Sequence, residues 1–153
     1  MGTPIADYLI EKHLSEDSIT KKLVHRISFL FGGQSPNPIE VIRDLSVREM
    51  QSFNQFNPNM DNVYYQSFAS TMNIAQDDLL YALTFKYLTR VAGENDGMIP
   101  LQNAAWGDRF EHIRAQKGIS HAAITDIMRR NIGNLQIPQI YLDIISGLGS
   151  LGL

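Results

Sequence analysis

The sequence contains no cysteine, which excludes disulfide bridges and thiolate metal sites. It has no excess of positive charge either. Its 13 basic and 16 acidic residues give a formal net charge of −3, which argues against nucleic acid as a partner. No apolar run reaches the roughly 20 residues that a membrane-spanning helix needs, and residues 1–4, Met-Gly-Thr-Pro, lack the charged start and apolar stretch of a signal peptide. These absences leave the compartment unknown and indicate a globular chain of one-domain length.

Two segments have the composition of β-strands. Residues 62–70 are rich in Val, Tyr and Phe and are bounded by turn formers, and in residues 109–114 Phe110 and His112 alternate with Glu111 and Ile113. Strands buried between helices need neighbouring strands to satisfy their backbone groups, and two or three strands among several helices are too few for an independent α/β domain. The predicted fold class is therefore α/β, with the chain forming part of a larger sheet.

Helical periodicity covers most of the remainder. The predicted helices are 11–31, 39–53, 77–90, a short one ending at Trp106, 122–130 and 139–145. Ser46, three residues before Glu49, fits a capping box that restarts the second of them. The third begins with two first-turn acids, Asp77 and Asp78, and its predicted buried side consists of Leu79, Leu80, Leu83, Tyr87 and Leu88. The two ends, residues 1–8 and 147–152, are predicted to form no stable element.

The residues that indicate chemistry are Asp96 and His121. Residues 93–100, Gly-Glu-Asn-Asp-Gly-Met-Ile-Pro, place Asp96 on a tight glycine-flanked loop, and His121 opens a later helix. A carboxylate can accept a hydrogen bond from the Nδ1–H of histidine and stabilise the imidazolium, and an acid followed by a histidine is the chain order of α/β-hydrolase triads. From the residues alone two alternatives stay open: residues 94–97 form an ordinary turn, and His121 only starts a helix.

Several segments resemble bacterial triacylglycerol lipases and esterases of the α/β-hydrolase superfamily. Residues 1–8 resemble the segment that follows the nucleophile half, and residues 44–67 resemble a helix leading into a Val-x-Tyr-x-Ser strand. Residues 93–107 resemble the acid loop with the Trp-Gly that follows it, and His121 occupies the position of the triad histidine. The resemblance covers nearly the whole chain and implies a partial α/β-hydrolase fold.

In that fold, residues 1–153 would be the C-terminal portion of a single domain, and residues 11–56 a lid-like helical insertion. Periodicity alone favours a different interpretation of residues 11–31, as a helix that packs its apolar stripe on the core. The resemblance further implies a lipase/esterase-type carboxylic-ester hydrolase, in which Asp96 orients His121 and His121 shuttles the proton. Its expected substrate is an acyl ester or lipid.

The nucleophile of such a hydrolase is missing from this sequence. No Gly-x-Ser-x-Gly elbow precedes Asp96, and Ser150 has Leu148 where the elbow requires glycine. The serine and the oxyanion loop are expected in a complementing half, so catalysis by this chain depends on that half.

No cofactor is expected, although the resemblance implies calcium. The family takes a calcium ligand from the aspartate two residues after the triad histidine, and that position is Ala123 here. Because calcium needs six to eight oxygen ligands, this departure argues against the site. The other nearby carboxylates are interpreted as solvated helix-end acids: Asp77, Asp78 and Asp126.

Two alternatives come from other functional classes. In the first, the chain is a non-catalytic truncated remnant that acts as a homo-oligomer or with a partner half. In the second, it is a helical interaction module in which Asp96 and His121 are coincidental. In-frame translation upstream of Met1 separates the hydrolase from the remnant, because a Gly-x-Ser-x-Gly elbow there would restore the enzyme. A structure with Asp96 and His121 on opposite faces would support the interaction module.

Overall fold

The computed structural model describes residues 2–13, 38–127 and 132–153. The helices of this part of the chain are α1 (Pro4–His13), α2 (Pro38–Asp44), α3 (Val47–Phe56), α4 (Ala82–Ala92), α5 (Leu101–Ala104), α6 (His121–Ile124) and α7 (Ile137–Ser150). A 3-10 turn spans Ala75–Asp77, and the strands are β1 (Gln66–Ser70) and β2 (Arg109–Ile113). Residues 14–37 lie outside the described residues, and they include most of the predicted helix 11–31 and about half of the predicted lid-like insertion 11–56.

The two strands form a parallel pair, in register from Gln66 opposite Arg109 to Ser70 opposite Ile113. Parallel strands need a crossover that carries the chain back, and α4 lies within it. The mixed helix-and-strand class predicted from the sequence is confirmed, and both strands lie inside their predicted segments. Beyond β1 and β2, the described residues contain no further strand of this sheet.

The loops of the predicted site gather at the carboxyl end of this sheet. Met72, two residues after β1, donates its N–H to the carbonyl oxygen of Asn95 at 2.9 Å. Ile119 donates its N–H to the carbonyl oxygen of Thr71 at 2.8 Å. The loop that carries Asp96 and the loop before α6 are therefore both tied to the chain leaving β1.

The prediction that residues 1–8 form no element is wrong, because α1 begins at Pro4. Proline is favourable in the first helical turn, where its missing N–H costs nothing. The hydroxyl of Thr3 accepts a hydrogen bond from the N–H of Ile5 at 3.3 Å, which satisfies one of the first free donors. The helix is held by packing, since Ile5 lies in an apolar cluster with the fully buried Leu88 of α4.

The restart predicted at Ser46 is confirmed. The helix is interrupted between α2 and α3, and the Ser46 hydroxyl accepts a hydrogen bond from the Glu49 N–H at 3.2 Å.

The third predicted helix is shorter than expected. It begins at Ala82 rather than at residue 77, and most of its predicted buried side is exposed to solvent: Leu79 (80%), Leu80 (58%) and Leu83 (83%). The reason lies in Asp77, whose Oδ2 accepts the backbone N–H groups of Asn73 and Ile74 at 2.7 and 2.9 Å. The bond from Ile74 is the one that the acid of a capping box makes, so Asp77 belongs to the separate 3-10 turn Ala75–Asp77, and α4 begins only after it.

The C-terminal region also differs from its prediction. Helix α7 continues to Ser150, through residues that were expected to fray, and it is anchored by the buried Ile137. Of the helix predicted over 122–130, residues 128–130 lie outside the described residues, and in the described part α6 ends at Ile124 and Asp126 adopts a φ of 56°. Of the helices that the structure describes, none combines the length and apolar character that crossing a bilayer requires.

Candidate functional site

The loop of residues 93–100 holds the Asp96 carboxylate in one orientation. Its Oδ1 accepts the backbone N–H groups of Met98 and Ile99 at 2.8 and 2.7 Å. Gly97 has a φ of +90°, and a Cβ there would meet the Tyr81 Cβ at 2.5 Å, so the turn requires glycine. With Oδ1 occupied and the residue only 7% exposed, Oδ2 is the oxygen left for a partner.

The buried side chain of Asn95 supports this loop from beneath. Its Nδ2 donates to the carbonyl oxygen of Gly93 at 2.8 Å and to the Thr89 hydroxyl at 3.2 Å. Its Oδ1 accepts the N–H of Gly97 at 2.9 Å, and the residue is completely buried. One amide therefore joins both ends of the turn that presents Asp96.

His121 is placed by the cap of α6. The hydroxyl of Ser120 accepts the Ala123 N–H at 3.3 Å, as an N-cap does, and donates to Asp78 Oδ2 at 2.6 Å. The backbone N–H of His121 donates to the carbonyl oxygen of Asp96 at 2.9 Å. The helix start and the acid loop are thus joined through main chain as well as side chain.

The two side chains predicted to form the catalytic pair are in contact. His121 Nδ1 lies 2.8 Å from Asp96 Oδ2, a charge-assisted hydrogen-bond distance. With Nδ1 engaged by the carboxylate, Nε2 is the ring nitrogen free to exchange a proton with a reacting group. The interaction module whose Asp96 and His121 lie on opposite faces is therefore not supported.

The interpretation of the other acids as solvated is wrong for two of the three. Asp77 fixes the turn before α4, and Asp78 accepts the Ser120 hydroxyl while its Oδ1 accepts the Leu80 N–H. The carboxylate oxygens of Asp77 and Asp78 are thus used in hydrogen bonds within the fold. The Ala123 side chain has no oxygen to offer a cation. In the described part of the chain no three acidic or histidine side chains are grouped to hold a metal ion. The residues present do not fit the calcium site that the resemblance implies.

The surroundings raise the pKa of His121 above its ordinary value. The hydrogen bond to Asp96 is the largest cause, burial of the ring opposes it by lowering the pKa, and the charge of Asp96 raises it further. Burial and the neighbouring Arg114 lower the pKa of His112 on β2. The two histidines should therefore titrate on opposite sides of about pH 6.5, the usual value for an exposed histidine.

Asp96→Asn should lower the pKa of His121, because the hydrogen bond and the charge that raise it are weakened while burial remains. The stability linked to this group is fully present below the unfolded pKa of about 6.5 and is lost as pH rises through the higher folded pKa. That loss should be smaller in the variant. NMR titration of the histidine ring protons measures both pKa values, and urea unfolding from pH 5.5 to 8.5 measures the linkage. His112 is the internal control, since its titration should not move.

A cavity of about 140 Å³ lies beside the pair. Apart from Ser70, Asp96 and His121, its lining is apolar: Phe68, Ala69, Ile99, Leu101, Ala104 and Ile124. An apolar recess with a few convergent polar groups is the usual form of a ligand site. The site thus combines a positioned acid–histidine pair with space for a hydrocarbon group.

The structure brings the predicted residues Asp96 and His121 together, and the residues that support them were not predicted. Nothing in the local sequence marks Asp78 as the partner of Ser120, since 42 positions separate them. The Asn95 amide had a weak signal, because asparagine next to Asp-Gly is common in turns. No protein-family model matches the chain, and no curated protein sequence matches it significantly. The geometry and the sequence motifs therefore stand as the basis for a functional assignment.

Proposed function

We propose that the chain is the acid–histidine part of a lipase/esterase-type carboxylic-ester hydrolase. The observation that carries the proposal is the 2.8 Å contact between Asp96 Oδ2 and His121 Nδ1. Asp96 lies on a loop and His121 at the start of α6, both at the carboxyl end of a parallel sheet, where open α/β sheets bind their ligands. The raised pKa of His121 and the adjacent apolar cavity agree with this role.

In the proposed reaction a serine supplied from outside this sequence attacks the ester carbonyl. Nε2 of His121 accepts the serine proton as the new C–O bond forms, and Asp96 stabilises the resulting imidazolium. The imidazolium then gives its proton to the departing alcohol oxygen as the ester bond breaks, which leaves an acyl-serine. Water repeats the sequence and releases the acid. The oxyanion donors must come from the same half as the serine.

The experiment compares ester hydrolysis by this chain with hydrolysis by a longer protein, the extended product, which also includes the residues encoded in frame upstream of Met1. The purified 153-residue chain should not hydrolyse a short chromogenic ester such as p-nitrophenyl butanoate. The extended product should do so if the added segment contains a Gly-x-Ser-x-Gly elbow. An upstream stop codon, or an extended product that has the elbow and binds ester but lacks turnover, would count against the hydrolase.

The exposed leucines favour a second candidate, the non-catalytic chain that acts with a partner. Leu79 and Leu83 are more than three-quarters exposed, and among the described residues β1 pairs on one edge only. Both features suit contact with another polypeptide. Sedimentation analysis should then show self-association that Leu79→Gln with Leu83→Gln reduces. A monomer at every concentration, for the parent and the variant alike, would contradict self-association.

A further inference from the structure

Ser70 is the last residue of β1, and its hydroxyl has no use in the fold described so far. The residue is 3% exposed, and its Oγ has no hydrogen-bond partner among the described residues. It lines the same cavity as Asp96 and His121. Buried hydroxyls are nearly always paired because an unpaired one destabilises the fold. A group left unpaired at a cavity wall is therefore a candidate contact for a ligand.

The other polar groups of the cavity do not satisfy this hydroxyl. Asp96 Oδ1 is occupied by two backbone N–H groups, and Oδ2 is occupied by His121. In contrast, the other deeply buried serine of the site, Ser120, both donates and accepts hydrogen bonds. The difference between the two serines indicates that Ser120 has a structural role and that Ser70 is free to bind a ligand.

The size and charge of the cavity restrict what can occupy it. Its volume of about 140 Å³ is close to that of an engineered apolar cavity of roughly 150 Å³ that binds benzene, so it accommodates about six carbon atoms. Above the pKa of His121, the Asp96 carboxylate makes the site negative and disfavours an anion. The fitting ligand is therefore small, mainly hydrocarbon, neutral and equipped with an oxygen.

We propose that the cavity binds the short acyl group of a neutral ester and that Ser70 Oγ, which is covered in this structure, turns about its Cα–Cβ bond to donate a hydrogen bond to an oxygen of that ester. That the ester is the substrate rests on the proposed hydrolysis, whereas the binding itself does not. Ser70 is assigned a positioning and specificity role. The site should prefer esters of short acids to long-chain lipids. It should also bind the charged product acid more weakly than the neutral ester.

The test is a binding titration of the 153-residue chain, which needs no nucleophile. Methyl butanoate, benzene and sodium butanoate are added separately at pH 8 to 15N-labelled protein, and the amide shifts of Ser70 and His121 are followed. Methyl butanoate should bind more tightly than butanoate. Ser70→Ala should weaken methyl butanoate roughly three- to ten-fold, the loss expected for one net hydrogen bond, and leave benzene within about twofold.

Ser52→Ala, at an exposed serine of α3, should change none of the three affinities. If Ser70→Ala does not fold, Ser70→Cys keeps the shape of the side chain with a somewhat larger and weaker donor, and it should give a smaller loss in the same direction. Equal ester affinity in wild type and variant, or ester binding without shifts at Ser70, would overturn the proposal. Suppose that ester binding depends on Ser70 but the extended product has the elbow and lacks turnover. That result would contradict the proposed hydrolysis and support the proposed binding site.

Discussion

His121→Ala is expected to abolish nearly all ester hydrolysis by the extended, serine-containing product. Removing the histidine of a serine hydrolase triad lowers kcat by about 10⁴- to 10⁶-fold. The same order is expected here because Nε2 of His121 is the proposed proton acceptor. Asp96→Asn should lower kcat by roughly 10⁴-fold, since the amide favours the wrong histidine tautomer. KM should change little in both variants, because neither side chain is assigned to ground-state binding.

The measurement is steady-state hydrolysis of p-nitrophenyl butanoate, with folding of each variant checked by circular dichroism. His112→Gln is the matched control: this histidine lies on β2 and bonds the Thr71 hydroxyl at 3.0 Å, away from the pair. It should retain activity within about threefold. A double variant lacking both His121 and Asp96 should be no slower than His121→Ala, because the aspartate acts through the histidine. Substantial turnover by His121→Ala would mean that another base takes the proton.

The parts of the site that could be predicted from the sequence are the local ones. Asp96 lies in a turn whose residues largely fix its geometry, and the Ser120 cap places His121 at a helix start. The strands were recognisable because their composition is a property of a short stretch of sequence. Each of these features depends on interactions between residues close in sequence, so a short window contains the information.

The features that could not be predicted depend on contacts between distant residues. Leu79 and Leu83 match a helical stripe, yet both side chains are exposed, Leu83 even though it lies in α4, because burial depends on which distant residues pack against them. The free hydroxyl of Ser70 has no signature in sequence, because whether a serine is paired depends on what surrounds it after folding. Helix α1 was missed because its apolar face is completed by Leu88 of α4. Periodicity reports which residues could be buried, and the tertiary fold decides which are.

Asn95→Ala is expected to cause the largest loss of stability among single changes in the site, about 3 kcal/mol. The side chain is fully buried and bonds both the Gly93 carbonyl and the Gly97 N–H. Truncation leaves the buried Gly97 N–H unpaired, which costs about 1–3 kcal/mol before any relaxation, and the partly buried Gly93 carbonyl loses its donor. It also opens a small void under the turn. Urea unfolding at pH 7 measures the loss, and Asn59→Ala, at an exposed loop position, should change stability by less than about 0.5 kcal/mol.

Asn95→Asp separates the hydrogen bonds from the volume of the side chain. The aspartate keeps the shape and the acceptor for Gly97 but places an oxygen against the Gly93 carbonyl, where the amide donated at 2.8 Å. Burying a charge beside a carbonyl is costly, so this variant should lose at least as much stability as Asn95→Ala at pH 7. Protonation restores a donor, so part of the loss should return as the pH falls toward 4. Equal stability of the Asn95→Asp and wild-type proteins at pH 7 would show that packing alone holds the Asp96 loop.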